Sequence, residues 1–147
     1  MNLALKEAKK AYLKGDVPVG CVIVKNGEVI AKAHNTRQSK NDTMGHAEIN
    51  AIKKACKKLN AWILEDATIY VTLEPCLMCA GAILNARISN LVYATEEPKF
   101  GSVESVANVL DNDKYNHKVK IEKGVLKEES SNLLKTFFKE LRNKKNN

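Results

Sequence analysis

The chain has 147 residues, 44% of them hydrophobic, enough to bury about two-thirds of its unfolded surface in one core and too few for two, so a single domain over 1–147 is expected. No apolar run approaches the ~20 residues that span a bilayer, and Met1-Asn2-Leu3-Ala4-Leu5-Lys6-Glu7 alternates with charge where a signal peptide would be apolar; no membrane partner and a cytoplasmic location are therefore expected. Twenty-four Lys and Arg against 17 Asp and Glu leave a net charge of +7, a balance that favours an anionic partner such as nucleic acid without specifying one.

In chain order, residues 3–14 carry Ala4, Ala8, Ala11 and Tyr12 on one side and Lys6, Lys9, Lys10 and Lys14 towards water, an amphipathic helix that Gly15 stops. Val17 to Val24 is β-branched and nearly continuous in apolar character, as a central strand is. Lys25-Asn26-Gly27-Glu28 predicts a type I′ turn, because Asn-Gly tolerates positive φ, and Val29-Ile30-Ala31 returns antiparallel. The second strand runs out at His34-Asn35, and the polar segment Thr36 to Gly45 carries the chain onward. Asn35 has two readings there: a turn former, or a reader of an amide-like ring edge with one donor and one acceptor. His34 reads as solvent-facing or internally satisfied.

His46 to Leu59 spaces Ile49, Ile52, Cys56 and Leu59 at helical intervals, which predicts that this face packs on a sheet while Lys53, Lys54, Lys57 and Lys58 turn outward. Ala67 to Leu73 reads as a strand, the segment from Pro75 to about Arg87 as a helix, and Asn90 to Thr95 as another strand. Strand, helix, strand at these lengths implies a right-handed parallel crossover, which puts the helix starts at His46 and Cys76 on one edge of the sheet. Glu96 to Ser102 follows a strand on that edge and is placed to wall a pocket. Val119 to Glu122 alternates like a last strand. Leu133, Leu134, Phe137, Phe138 and Leu141 then keep helical spacing up to Arg142, Lys144 and Lys145; the aromatics read as core, the charges as a solvated end.

Two of these segments carry chemistry. Cys76 and Cys79 fall on one face of a helix start, where the helix N-terminus lowers thiol pKa values, so both are expected as thiolates for a soft or borderline cation. Two thiolates do not close a site. Of three histidines, His46 alone opens another helix, in His46-Ala47-Glu48, and first-turn side chains lean back so that His46 and Glu48 both reach a cavity ahead of the helix. A redox pair has no use for the His-x-Glu, and a closed structural zinc site wants a fourth Cys or His. Cys21, in an apolar strand, and Cys56, at helical spacing, read instead as small core residues, in keeping with a reducing compartment. His-x-Glu followed by Pro-Cys-x-x-Cys is the signature of zinc-dependent nucleobase and nucleoside deaminases, whose one His and two Cys leave a fourth metal position open.

With Pro18-Val19-Gly20, His46-Ala47-Glu48 and Thr72-Leu73-Glu74-Pro75-Cys76-Leu77-Met78-Cys79-Ala80-Gly81-Ala82, the chain resembles the bacterial tRNA-specific adenosine deaminases from about Ala4 to Arg142. Asn116-His117 and Phe137-Phe138 match that pattern too. The resemblance implies an α/β fold of three layers, α/β/α, with a cytidine deaminase-like mixed five-stranded sheet and helices on both faces. It implies a homodimer that converts adenosine to inosine at the wobble position in the anticodon stem-loop of an arginine tRNA. It further implies that His46, Cys76 and Cys79 bind one Zn2+ per chain, that Glu48 shuttles protons, that Asn35 contacts the flipped nucleoside, and that Phe138 lies in a helix touching the RNA. The chain departs from the family in a shorter N-terminus and in Phe100, where a small residue is expected. The rival readings are a deaminase of free cytosine, guanine or cytidine, which shares the metal signature, and a nucleic-acid-binding protein with structural zinc, which has no need of Glu48.

Overall fold

The computed structural model describes all 147 residues, Met1–Asn147. The elements run α1 (Asn2–Leu13), β1 (Gly20–Lys25), β2 (Glu28–His34), α2 (Ala47–Leu59), β3 (Ala67–Leu73), α3 (Leu77–Asn85), β4 (Asn90–Thr95), β5 (Lys120–Lys123) and α4 (Lys127–Lys145). The strands form one sheet in the order β2-β1-β3-β4-β5. β1 pairs antiparallel with both β2 and β3, while β3, β4 and β5 run parallel. α1 and α2 pack on β1 and β2 without touching each other, hence from opposite faces; α3 lies beside α2, and α4 covers β3 and β4 next to α1. This is the three-layer mixed sheet that the resemblance implies.

The hairpin turn forms as the Asn-Gly pair dictates, with positive φ at Asn26 (52°) and Gly27 (74°). The strand before it starts later than its apolar run, at Gly20 and not Val17. Pro18 has no N–H to give a ladder, and the Val19 N–H turns back to the Val17 carbonyl at 2.8 Å. Gly20 is where α1 crosses the strand in backbone contact, since a Cβ there would fall 1.8 Å from the Ala4 carbonyl oxygen. Ala4, Ala8 and Ala11 present the flat helix face that permits this approach, all with no exposed surface.

Two further expectations are corrected. α2 does not pack through Ile49, Ile52, Cys56 and Leu59; its sheet-facing row is Ala47, Ala51 and Ala55, at most 1% exposed, and Leu59 stands 36% exposed. Helical spacing marks every row four residues apart, and the row that fits closest to a twisted sheet is the one without bulk. Ile52 and Cys56 flank the core from its side. α3 begins at Leu77 and not at Pro75, so Cys76 is the extended N-cap residue and Pro75 a buried lead-in. The parallel pairing of β3 with β4 brings the end of β2, the ends of β3 and β4, and the starts of α2 and α3 to one edge.

Candidate metal centre and its walls

Both helix starts on this edge use the same device. His46 caps α2 and Cys76 caps α3, each in extended conformation (φ −80°, ψ 149° and φ −74°, ψ 177°), so the side chain sits ahead of the first turn. Cys79 then enters from the first turn of α3. His46 Nδ1 lies 3.5 Å from Cys76 Sγ and 3.4 Å from Cys79 Sγ, and the three donor atoms fall within 4.8 Å of one another. In a tetrahedral site with metal–nitrogen bonds of about 2.0 Å and metal–sulfur bonds of about 2.3 Å, nitrogen and sulfur stand about 3.5 Å apart. The triad therefore has the donor set and the spacing to hold a metal ion.

The two sulfurs of the triad are pulled in opposite directions. A hydrogen bond from the Cys79 thiol, with His46 adding to it, holds the Cys76 thiol well below its ordinary range, whereas Cys79 is pushed up by that same bond and by burial. Two adjoining sulfurs oppose each other's ionisation, and a cation between them is the group that favours both charges. His46 is raised, chiefly by Cys76. Glu48, the second residue of α2, is 4% exposed; burial pushes its carboxyl up to about 7, against the pull of Cys79 and His46. It borders the triad without belonging to it.

The walls are held by hydrogen bonds that cross between elements. Asn50, on α2, donates to the His34 carbonyl and to Thr36 Oγ1, both at 3.0 Å, and the Thr36 N–H donates to the Gly45 carbonyl at 2.8 Å. These bonds tie the end of β2 and loop 36–45 to the first turns of α2. Asn35 is half-buried here; its Nδ2 donates to the Val17 carbonyl at 3.1 Å and its Oδ1 accepts from the Arg37 N–H at 3.0 Å. That is a turn-forming use, and it leaves one amide hydrogen of Asn35 free. His34 is half-buried, its Nδ1 3.7 Å from Glu7 without a hydrogen bond and its Nε2 3.5 Å from Lys14 Nζ. Phe138 lies apart from the triad on α4, 40% exposed, edge-on to the buried Phe137 at 5.4 Å.

Two carboxylates that sequence reasoning did not single out organise the loops. Asp16, fully buried, accepts the N–H groups of Gln38 and Ser39 at 2.7 and 2.9 Å. Glu74, 3% exposed and two residues before Cys76, accepts the N–H groups of Glu97, Val103, Glu104 and Ser105 at 2.9–3.1 Å, and the Ser105 hydroxyl. Burial raises the Glu74 pKa, but the bonds from Glu104, Ser105 and Glu97 outweigh it and hold the group below the ordinary carboxylate range. Carboxylates solvated mainly by backbone amides have no charged side-chain partner whose identity would mark them in a sequence.

A sheet of this topology, with a metal-competent triad and a buried carboxyl at its edge, is that of a deaminase. The MafB19-like deaminase family matches residues 1–142. The chain is 49% identical to the tRNA-specific adenosine deaminase of Bacillus subtilis (strain 168) over 145 residues, 99% of this chain and 90% of that one. It is 50% identical to the enzyme of the same name from Aquifex aeolicus (strain VF5) over 143 residues, 97% and 94% of the two chains. A structure solved in a study of A-to-I editing by tRNA:A34 deaminases superposes with a TM-score of 0.87 at 42% identity, over 91% of this chain and 97% of that one. The chain belongs to the MafB19-like deaminases and, among them, to the family of the tRNA-specific adenosine deaminases.

Proposed function

We propose that the chain hydrolyses adenosine to inosine at the wobble position of a tRNA, an arginine tRNA in the first instance, with Zn2+ held by His46, Cys76 and Cys79. The carrying observation is the triad with Glu48 buried beside it and outside its ligand set. A structural zinc site has no need of such a carboxyl. Bound there, zinc supplies a Lewis acid that makes a water reactive near neutral pH.

In the reaction the C6–N bond of adenine breaks and a C6–O bond forms. Water supplies the oxygen, ammonia leaves, and no electrons pass to another reactant. Glu48 takes one proton from water and passes it to ring N1, then takes the remaining proton from the new C6 hydroxyl and gives it to the departing amine as the C6–O bond becomes a carbonyl. A carboxyl that burial brings to about 7 serves both as base and as acid under physiological conditions. Asn35 turns its free amide hydrogen to the purine edge. Phe138 and the basic end of α4 meet the RNA outside the pocket, where phosphate contacts supply binding energy that a free nucleoside lacks. The enzyme works as one domain per chain, as a homodimer, in the cytoplasm where tRNA is processed.

Single-turnover assays on three substrates at one salt concentration test this. An anticodon stem-loop with adenosine at the wobble position is expected to yield inosine efficiently, the same loop with cytidine there far more slowly, and free adenosine very poorly. Comparable rates on free adenosine and the stem-loop would overturn the tRNA reading. Preference for a free base or pyrimidine nucleoside would put a small-molecule deaminase in its place.

A further inference from the structure

Phe100 is the most exposed aromatic residue of the chain, with 70% of its surface in water. Such exposure of a large apolar ring is unremarkable on a loose loop, but this loop is held from several sides. Its base is the Glu74 carboxylate, which gathers four backbone N–H groups from residues 97–105. Gly101, next to Phe100, lies so close to that carboxylate that a Cβ would stand 2.4 Å from Glu74 Cδ. The Gly101 N–H donates to the Glu97 carbonyl at 2.9 Å, the Ser102 N–H to the Pro75 carbonyl at 2.9 Å, and the Ser102 hydroxyl to the Phe100 carbonyl at 3.2 Å. Val103 beyond is fully buried in the core. The backbone carrying Phe100 is thus bonded directly to Pro75, the neighbour of the ligand Cys76, and the ring has only two torsions left to order.

We propose that Phe100 is a stacking platform for an unpaired base adjacent to the one that enters the metal pocket; this rests on the function proposed above. A π-face tolerates any base, so the platform would hold the substrate strand in place without reading its sequence. Exposed Lys99 beside it supplies a positive charge for the backbone phosphate of the same nucleotide. Phe100 is a positioning residue for the strand and takes no part in the bond changes.

The test uses the full chain as wild type, Phe100→Ala and Phe100→Trp, with an anticodon stem-loop bearing wobble adenosine and 2-aminopurine at one or the other flanking position. Wild type is expected to quench the fluorescence of one flanking 2-aminopurine on binding. Phe100→Ala is expected to lose that quenching and about 5- to 100-fold in kcat/KM, mostly through KM. Phe100→Trp is expected to keep both. Zinc content and sedimentation coefficient should not change in either variant. Unaltered quenching in Phe100→Ala, with kcat/KM near the wild-type value, overturns the inference. So does a loss of activity accompanied by a changed sedimentation coefficient, which would make Phe100 a contact between copies. Absence of inosine from wild type with the stem-loop would instead overturn the proposed function, and this inference with it.

Discussion

Glu48 and Cys79 sit side by side at the same helix-start cavity, yet substitution should separate them completely. Glu48→Gln is expected to keep fold and zinc while losing about 10²–10⁴-fold or more in single-turnover rate, because in the proposed reaction the carboxyl moves protons and holds no metal. Cys79→Ala is expected to lose most of the zinc, measured by atomic absorption after dialysis. A loss under tenfold in the first variant would give proton transfer to another group, and full zinc in the second would remove Cys79 from the ligands. Glu74 acts at the same scale through backbone. An amide in its place has one oxygen to accept with and turns N–H groups against donors, so Glu74→Gln should cost about 2–3 kcal/mol in urea unfolding at neutral pH. The sign of its pH dependence follows from the depressed pKa. The contribution of Glu74 is complete above the unfolded value of about 4.3 and fades as pH falls through the lower folded value. The gap between wild type and variant should therefore close on acidification, and a gap independent of pH would mean the carboxylate charge is not what holds the loop.

Among the elements, α2 shows most clearly how packing differs from periodicity. Its apolar residues are large on one row and small on another, and the small row meets the sheet because an alanine face lets helix and strand backbones come close. Ala51, with no exposed surface, has no room to grow. Ala51→Leu is expected to destabilise by about 1–3 kcal/mol through overpacking, whereas Leu59→Ala at the exposed end should stay within about 0.5 kcal/mol. Chemical denaturation of the two variants decides between the alanine row and the isoleucine row as the packed face. A larger cost at Leu59 would reverse the assignment. The same helix places His46 at its cap, so a shift of α2 on the sheet would also move a proposed metal ligand; zinc retention by Ala51→Leu is a useful second measurement.

At the scale of the whole molecule, charge and an uncovered groove bear on partners. The net charge of +7 suits a polyanionic substrate, and no helix is long and apolar enough to cross a membrane. Between α2 and α3 a groove of about 550 Å³ is lined by Met44, Ile49, Met78 and Leu84 among others. It is an apolar surface suited to a second copy, in line with the homodimer proposed. Sedimentation equilibrium is expected to give about twice the 16.3 kDa of one chain, and Ile49→Arg should shift it towards one. A monomer at micromolar concentration in the wild type would remove the homodimer from the proposal.

What the sequence determined by itself is what neighbouring residues decide: the Asn-Gly hairpin, the β3-α3-β4 crossover, the stop at Gly15, and the donor types His, Cys and Cys with a glutamate two residues from the histidine. Those choices are made by local backbone preference and by the chemistry a side chain carries anywhere, so spacing along the chain is enough to read them. Tertiary structure decided the rest. The 3.4–3.5 Å between His46 and the sulfurs depends on two helix caps 30 positions apart in the chain being brought together. The rise of Glu48 to about 7 comes from burial in the closed fold. Asp16 and Glu74 became loop anchors because distant backbone amides converge on them, and the alanine row of α2 became the packed face because β1 and β2 lie beneath it. Each of these depends on which surfaces meet, and that is settled only when the chain has closed on itself.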